Sequence, residues 1–373
     1  MSGLDVDAMV AELRGWVGIE SPTSDTPGVN RMIDAVAAAV AGLPIGVQRH
    51  AGRDGLGDTL ELSAGPRTGA PGILLLSHVD TVHPLGTLAA DLPMRIEGDR
   101  FYGPGIYDMK GGAFLALAAV RRAVAANALT RPITFLFTPD EEIGSPTSRD
   151  IIEAKARTAS HVLVTEPARD GGKVVTGRKG VARFDVHIEG RPSHAGSRHP
   201  DGRSAIRDAA HQILAIEALT DYARQVTTTV GQVSGGTAAN VIPQHARFVV
   251  DLRVATLADG EELCARIKGL KAVGPDIRIT VSGGMNRPPY AKTPEVAALF
   301  EKARALATPL GFDLQDVPLT GGGSDGNFTA ALGIPTLDGL GIDGDGAHTL
   351  QEHALVSSLA PRSRLIEALI RAL

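Results

Sequence analysis

Short apolar runs alternate with helix-like stretches between about residues 72 and 165, the pattern of a parallel sheet covered on both faces. The spacing predicts strands over 73–77, 133–138 and 161–165, each mostly apolar and too short to be a core helix. The Ala- and Leu-rich segment 111–127 reads as the crossover helix between the first two. Polar and acidic residues then fall just past the C-terminal ends of these strands, where open α/β sheets place their ligand sites. Ahead of them, Val6, Met9, Val10, Leu13, Trp16 and Val17 line one face of an amphipathic helix.

Near residue 178 the period changes. Residues 181–189 alternate strictly, with Ala182, Phe184, Val186 and Ile188 on one side and Arg183, Asp185, His187 and Glu189 on the other, as in a strand with one wet face. Residues 247–253 repeat the pattern, with Phe248, Val250 and Leu252 as the apolar set. Helix-like 203–219 and 258–270, with strands near 226–233 and 277–281, complete a β-α-β-β-α-β series. After Pro288 the Ala- and Leu-rich helices return, ending with 361–373. The expected architecture is an α/β domain with a mostly parallel central sheet, formed by 1–177 and 288–373, with an α+β domain inserted over 178–287.

At 373 residues the chain has the length of two ordinary domains. Hydrophobic residues at 43% and charged residues at 21% exclude a disordered chain. A formal net charge of −5 lacks the basic excess that nucleic acid binding needs, so no nucleic acid partner is expected. The one cysteine, Cys264, rules out a disulfide framework and a thiolate metal cluster, and reads as a small buried hydrophobe. No basic segment followed by an apolar run opens the sequence, and no stretch nears the ~20 apolar residues that span a bilayer. The expected location is therefore the cytoplasm, with no membrane partner.

Several short segments carry candidate chemistry. In Ser77-His78-Val79-Asp80 an extended backbone turns His78 and Asp80 to one side, where a carboxylate can orient an imidazole for a metal, or where both form a polar strand end. Gly103, Pro104 and Gly105 before Asp108 and Gly111 and Gly112 after it, in the segment from Tyr102 to Gly112, force a tight loop before a helix, so Asp108 sits on a turn or caps the helix. Asp140-Glu141-Glu142 crowds carboxylates directly after an apolar strand, which is costly without a cation unless the run opens a helix. Glu166 ends another apolar strand, and His348 lies in a Gly-rich loop where solvation is the plainer reading. Together they supply nitrogen and oxygen ligands without thiolates, which suits zinc, manganese or cobalt. Five ligands for two ions, one of them shared, leave room for a water between ions ~3.5–4 Å apart, which would acidify it.

In this order and spacing the segments resemble the M20 family of metallopeptidases, closest to the glutamate carboxypeptidase branch, with succinyl-diaminopimelate desuccinylase, acetylornithine deacetylase and aminoacylase as related members. The resemblance extends to Gly190-Arg191-Pro192-Ser193-His194-Ala195-Gly196, to Asn240-Val241-Ile242-Pro243 and to Thr320-Gly321-Gly322-Gly323-Ser324-Asp325. It implies a zinc-peptidase-like catalytic domain with an inserted lid and dimerisation domain. It further implies two divalent ions, zinc first with cobalt or manganese as alternatives. His78, Glu166 and a bridging Asp108 would hold one ion, and Asp108, Glu142 and His348 the other. Glu141 would be the general base and Asp80 would orient His78. The partner subunit's His194 would stabilise the oxyanion, so the active unit is a homodimer. Which of Glu141 and Glu142 ligates rests on the family pattern alone.

The same resemblance places Arg287 on the substrate's free carboxylate, with contacts from Asn240 and the amides of Gly321, Gly322 and Gly323. Glu rather than Asp at position 166 is associated with carboxypeptidases and deacylases. The implied activity is metal-dependent hydrolysis of an amide in a small peptide or N-acyl amino acid with a free carboxylate, of carboxypeptidase type, with N-acyl-amino-acid deacylase as the alternative. From a different class, Gly322-Gly323-Ser324-Asp325-Gly326 matches a nucleophile elbow, with Asp343 and His348 following, and points to a serine hydrolase. Against it, the preceding segment 316–320 is short and contains Pro318. A non-catalytic binding module would have lost the base or a ligand, and all are present. His50, His83, His161, His187, His211, His245 and His353 stand in no motif and His199 lies near the lid motif; Tyr107 and Lys110 flank Asp108 and could support it, although Lys110 is expected rather at a solvated helix start.

Overall fold

The computed structural model describes residues 4–373, which form two compact units. The first runs up to Gly177 and resumes with Lys292–Thr320 and Ser324–Leu373; the second is Arg178–Ala291 with Gly321–Gly323.

The first unit is built on a six-stranded sheet in which Ile133–Thr138, Gly72–His78 and Ala159–Val164 are parallel neighbours. Thr336–Leu337 continues the parallel run beside Ala159–Val164, while Thr59–Ala64 and Gly46–His50 add an antiparallel edge that the apolar pattern does not reveal. Alternation along Gly72–His78 sends side chains to opposite faces. Ile73 and Leu75 join a core with Leu13, Trp16, Phe114 and Leu365. Leu74 and Leu76 join another with Leu136, Ile152, Val162 and Phe328. Both faces are thus covered, which is why these strands read as continuous apolar runs.

The helix Val6–Val17 is capped by Asp5, whose side chain accepts the Ala8 N–H at 3.0 Å, and it buries Met9, Leu13, Trp16 and Val17. The helix Gly111–Ala125 has no room for a side chain where it meets the sheet: a Cβ on Gly112 would run into the Thr165 carbonyl. That contact brings the helix start against the strand end that precedes Glu166.

The second unit is an antiparallel four-stranded sheet, ordered Thr227–Gly235, His245–Val254, Gly180–Glu189, Arg278–Arg287. Ala182, Phe184, Val186 and Ile188 are buried with Phe248, Val250 and Leu252 under the helices Ala205–Glu217 and Leu257–Lys268. The elements follow one another as β-α-β-β-α-β. The last strand runs on to Arg287 through a bulge between Met285 and Arg287, past two glycines that hide it in the sequence. Cys264 is only partly buried, packed at the margin of this core. Among the described residues no helix is long and apolar enough to cross a membrane.

Candidate metal centre

Three neighbouring parallel strands deliver acids and an imidazole to one crevice. His78 is the last residue of Gly72–His78, Glu141 and Glu142 form a short 3₁₀ turn just beyond Ile133–Thr138, and Glu166 follows Ala159–Val164. Asp108 comes from the irregular turn Ile106–Lys110, entered through Gly105 at φ 70°, and the Asp108–Met109 peptide is cis. His348 sits in a tight loop at φ 63°.

These side chains converge. His78 Nε2 lies 3.2 Å from Asp108 Oδ1 and 3.9 Å from Glu166 Oε1. His348 Nε2 lies 3.3 Å from Asp108 Oδ2 and 3.3 Å from Glu142 Oε2. The two oxygens of Asp108 are therefore divided between two imidazoles, each of which faces a second carboxylate. His78, Asp108 and Glu142 place ligand atoms within 4.8 Å of one another, and so do His78, Glu141 and Glu166.

Asp80 does more than face His78. Its carbonyl oxygen lies 2.9 Å from His78 Nδ1, which leaves Nε2 to face the crevice. Its fully buried carboxylate accepts the N–H groups of Glu141 and Glu142, each at 3.2 Å, and the Thr23 hydroxyl at 2.7 Å. One residue thus fixes the imidazole through its backbone carbonyl and, through its carboxylate, the turn that aims the two glutamates.

The electrostatics record a surplus of negative charge. Burial alone would push His78 down, but Asp108, Asp80 and Glu166 raise it well above its ordinary range. Hydrogen bonds to Asp108 and Glu142 hold His348 up to about 10. Burial and the charge of Asp108 push Glu142 up to about 8, against the opposing hydrogen bond from His348. For Asp108 the two imidazoles outweigh burial and keep the carboxyl well below the usual range. Glu142 Oε1 is buried without a hydrogen-bond partner, an acceptor that protein donors do not satisfy. Carboxylates and imidazoles in this arrangement fit divalent cations of borderline hardness.

The remaining site residues of the sequence analysis lie in the second unit, in two groups. His194 and Asn240 are neighbours, joined by the Ala195 N–H to Asn240 carbonyl bond of 2.9 Å. His194 Nδ1 accepts the N–H groups of Gly196 and Ser197 at 3.1 and 3.2 Å, so the ring proton sits on Nε2. Arg287 packs against Gly323, where a Cβ would meet its Cδ at 2.7 Å. Arg178 Nη1 donates to the Gly322 carbonyl at 3.0 Å and Arg253 Nη1 to the Gly321 carbonyl at 3.3 Å.

One alternative already disfavoured falls, and one expectation is corrected. Ser324 is fully buried and its hydroxyl donates to Asp338 at 2.5 Å, so it is no exposed nucleophile and the serine hydrolase reading falls. Lys110 is 1% exposed, its Nζ donating to the Ile19 carbonyl at 2.5 Å, and not solvated. Thr23 and Glu352 also serve the site although no motif marks them. Glu352 accepts the Asp108 N–H at 3.0 Å from 244 positions away, and Thr23 reaches Asp80 across 57. Local sequence carries no signal for contacts of that separation.

Residues 74–372 match the model of peptidase family M20/M25/M40. The chain is 33% identical over 363 residues to carboxypeptidase G2 of Pseudomonas sp. (strain RS-16), spanning 95% of this chain and 86% of that protein. It is 32% identical over 263 residues to acetylornithine deacetylase of Myxococcus xanthus, spanning 66% of this chain and 67% of that one. Among solved structures, an M20 family metallo-carboxypeptidase from Sulfolobus solfataricus superposes with a TM-score of 0.77 at 18% identity, over 97% of this chain and 98% of that one. A dinuclear metal binding peptidase of the M20 family from Bacillus subtilis gives 0.69 at 16% identity, over 98% of each chain. The class so defined is a metal-dependent hydrolase with a mixed α/β fold. The chain belongs to peptidase family M20/M25/M40.

Proposed function

We propose that this protein hydrolyses an amide bond in a small peptide or N-acyl amino acid carrying a free carboxylate, as a carboxypeptidase, using two divalent ions. The observation that carries the reading is the division of the Asp108 oxygens between His78 and His348, each with its own further carboxylate. His78, Asp108 and Glu166 hold one ion; Asp108, Glu142 and His348 hold the other, with zinc the ion that best suits this donor set. The pair supplies an acidified water and polarises the scissile carbonyl when bound. Glu142 is assigned as ligand because its buried Oε1 lacks a protein partner. Glu141, on the same turn, takes a proton from the attacking water and hands it to the leaving amine. The partner subunit's His194, with its proton on Nε2, is the donor for the oxyanion, and Arg287 is the fork for the carboxylate.

The 33% identity to a carboxypeptidase supports that reading over deacylation, for which the similarity to acetylornithine deacetylase is the argument. We further propose a homodimer formed through the second unit, which serves as a lid. The strand Thr227–Gly235 pairs on one side only, and Leu214, Tyr222 and Val233 of the same unit are 71%, 82% and 66% exposed. The test is turnover of N-acyl-glutamates, N-acetyl amino acids and dipeptides after chelation and again after zinc is restored. Glu141→Gln is expected to bind zinc normally and to lose turnover by about 10²-fold or more. Activity that survives thorough chelation, or a Glu141→Gln variant with parental turnover, overturns the mechanism.

A further inference from the structure

The turn that carries Asp108 leaves its first backbone N–H groups without partners inside the turn, and one distant carboxylate takes them. Glu352 is 1% exposed. Its Oε1 accepts the N–H groups of Tyr107 at 2.9 Å and Asp108 at 3.0 Å. Its Oε2 accepts the Gly105 N–H at 2.9 Å and lies 2.6 Å from Nε2 of the buried His83. Glu352 also stands four positions after His348, in a loop folded tightly by the Thr349 N–H to Gly346 carbonyl bond of 3.0 Å and the Glu352 N–H to Thr349 carbonyl bond of 3.3 Å. A single side chain therefore ties the backbone of one candidate ligand to the segment that carries another, whose side chains meet at 3.3 Å.

We propose that Glu352, oriented by His83, is a positioning residue for the dinuclear centre, holding Asp108 at the distance from His348 that the second ion requires. This rests on the two-ion reading above. The carboxylate form matters because every neighbour named is a donor or, for His83, can be one. Glu352→Gln keeps the size but puts an NH₂ where one oxygen stood. Whichever way the amide turns, it sets a donor against the Gly105 N–H or against those of Tyr107 and Asp108. A residue that only filled space would tolerate the exchange.

The experiment titrates zinc into the metal-free parent, Glu352→Gln and Glu352→Asp, with calorimetry for affinity and the visible absorption of the cobalt-loaded forms for geometry. The Asp variant keeps charge and acceptors but withdraws them by one methylene. Both variants are expected to keep the parental far-ultraviolet circular dichroism, to bind the second equivalent about 10- to 100-fold more weakly, and to show an altered cobalt spectrum. A folded variant with parental affinity and parental cobalt spectrum overturns the proposal. So does a failure of both variants to fold, since a residue that positions one turn leaves the core intact. A parent chain that takes up no zinc refutes the dinuclear reading instead.

Discussion

Replacing Asp80 with Asn separates the structural work of its carboxylate from its neighbourhood to His78. The side chain is fully buried and accepts three donors, the Glu141 and Glu142 N–H groups at 3.2 Å each and the Thr23 hydroxyl at 2.7 Å. In the amide one oxygen becomes a donor. The Thr23 hydroxyl can rotate to accept, but a backbone N–H cannot, so one N–H of the half-buried Glu141–Glu142 turn is orphaned. An orphan of that kind costs about 1–3 kcal/mol, and the surviving bonds lose their charge assistance. A loss of about 2 kcal/mol corresponds to a melting shift of about 4–8 °C in a domain of this size. The assay is thermal unfolding of the metal-free proteins, because bound ions add their own stability. His78 keeps its tautomer, since its Nδ1 faces the Asp80 carbonyl and not only the side chain. Activity should therefore fall through the glutamates, with weaker binding of one ion and a lower kcat. An Asp80→Asn protein that melts with the parent and binds both ions equally well would refute the idea that Asp80 holds the turn.

Metal loading should release protons. With His348 held up to about 10 by Asp108 and Glu142, and Glu142 pushed up to about 8, the metal-free His348–Glu142 pair holds protons near neutral pH that it must lose to ligate. Apparent affinity then rises with pH through this range, by up to about tenfold per unit for each proton released, and weakens on the acid side. Calorimetry in buffers of different ionisation enthalpy counts the protons; an affinity independent of pH between roughly 6 and 9 would contradict the assignment. Arg287→Ala should cut kcat/KM by about 10- to 100-fold for substrates with a free carboxylate, the value of a charged hydrogen-bond pair, while their amidated analogues, already poor, change little. Equal effects on both series would remove Arg287 from carboxylate recognition.

The central strands were legible because strands buried on both faces must be apolar throughout, and the strands of the second unit because one wet face imposes alternation. The antiparallel edge Gly46–His50 leaves no such pattern, since its residues are largely exposed and carry no such constraint. Lys110 departs from the sequence expectation for a related reason. A lysine beside a turn is solvated unless a distant backbone acceptor is brought to it, here the Ile19 carbonyl 91 positions away. Ligand candidates at strand ends were visible as residue types out of place in an apolar context, whereas Glu352 and Thr23 sit in segments where a polar residue is unremarkable.

The acids themselves show where pattern stops and structure begins. Asp140, Glu141 and Glu142 are consecutive and chemically alike, and nothing local separates scaffold from ligand. In the fold, Asp140 is fully buried and accepts the Thr147 N–H and hydroxyl at 2.6 and 2.7 Å and the Ser148 N–H and hydroxyl at 3.3 and 2.5 Å. Its Oδ2 takes three of these donors and its Oδ1 the fourth, so both oxygens are engaged in shaping the loop. Glu142, two residues on, keeps a buried oxygen that no protein donor meets. An acid becomes a ligand candidate by what its oxygens have left over, and that remainder depends on hydroxyls and amides several residues downstream whose arrival only the folded backbone decides.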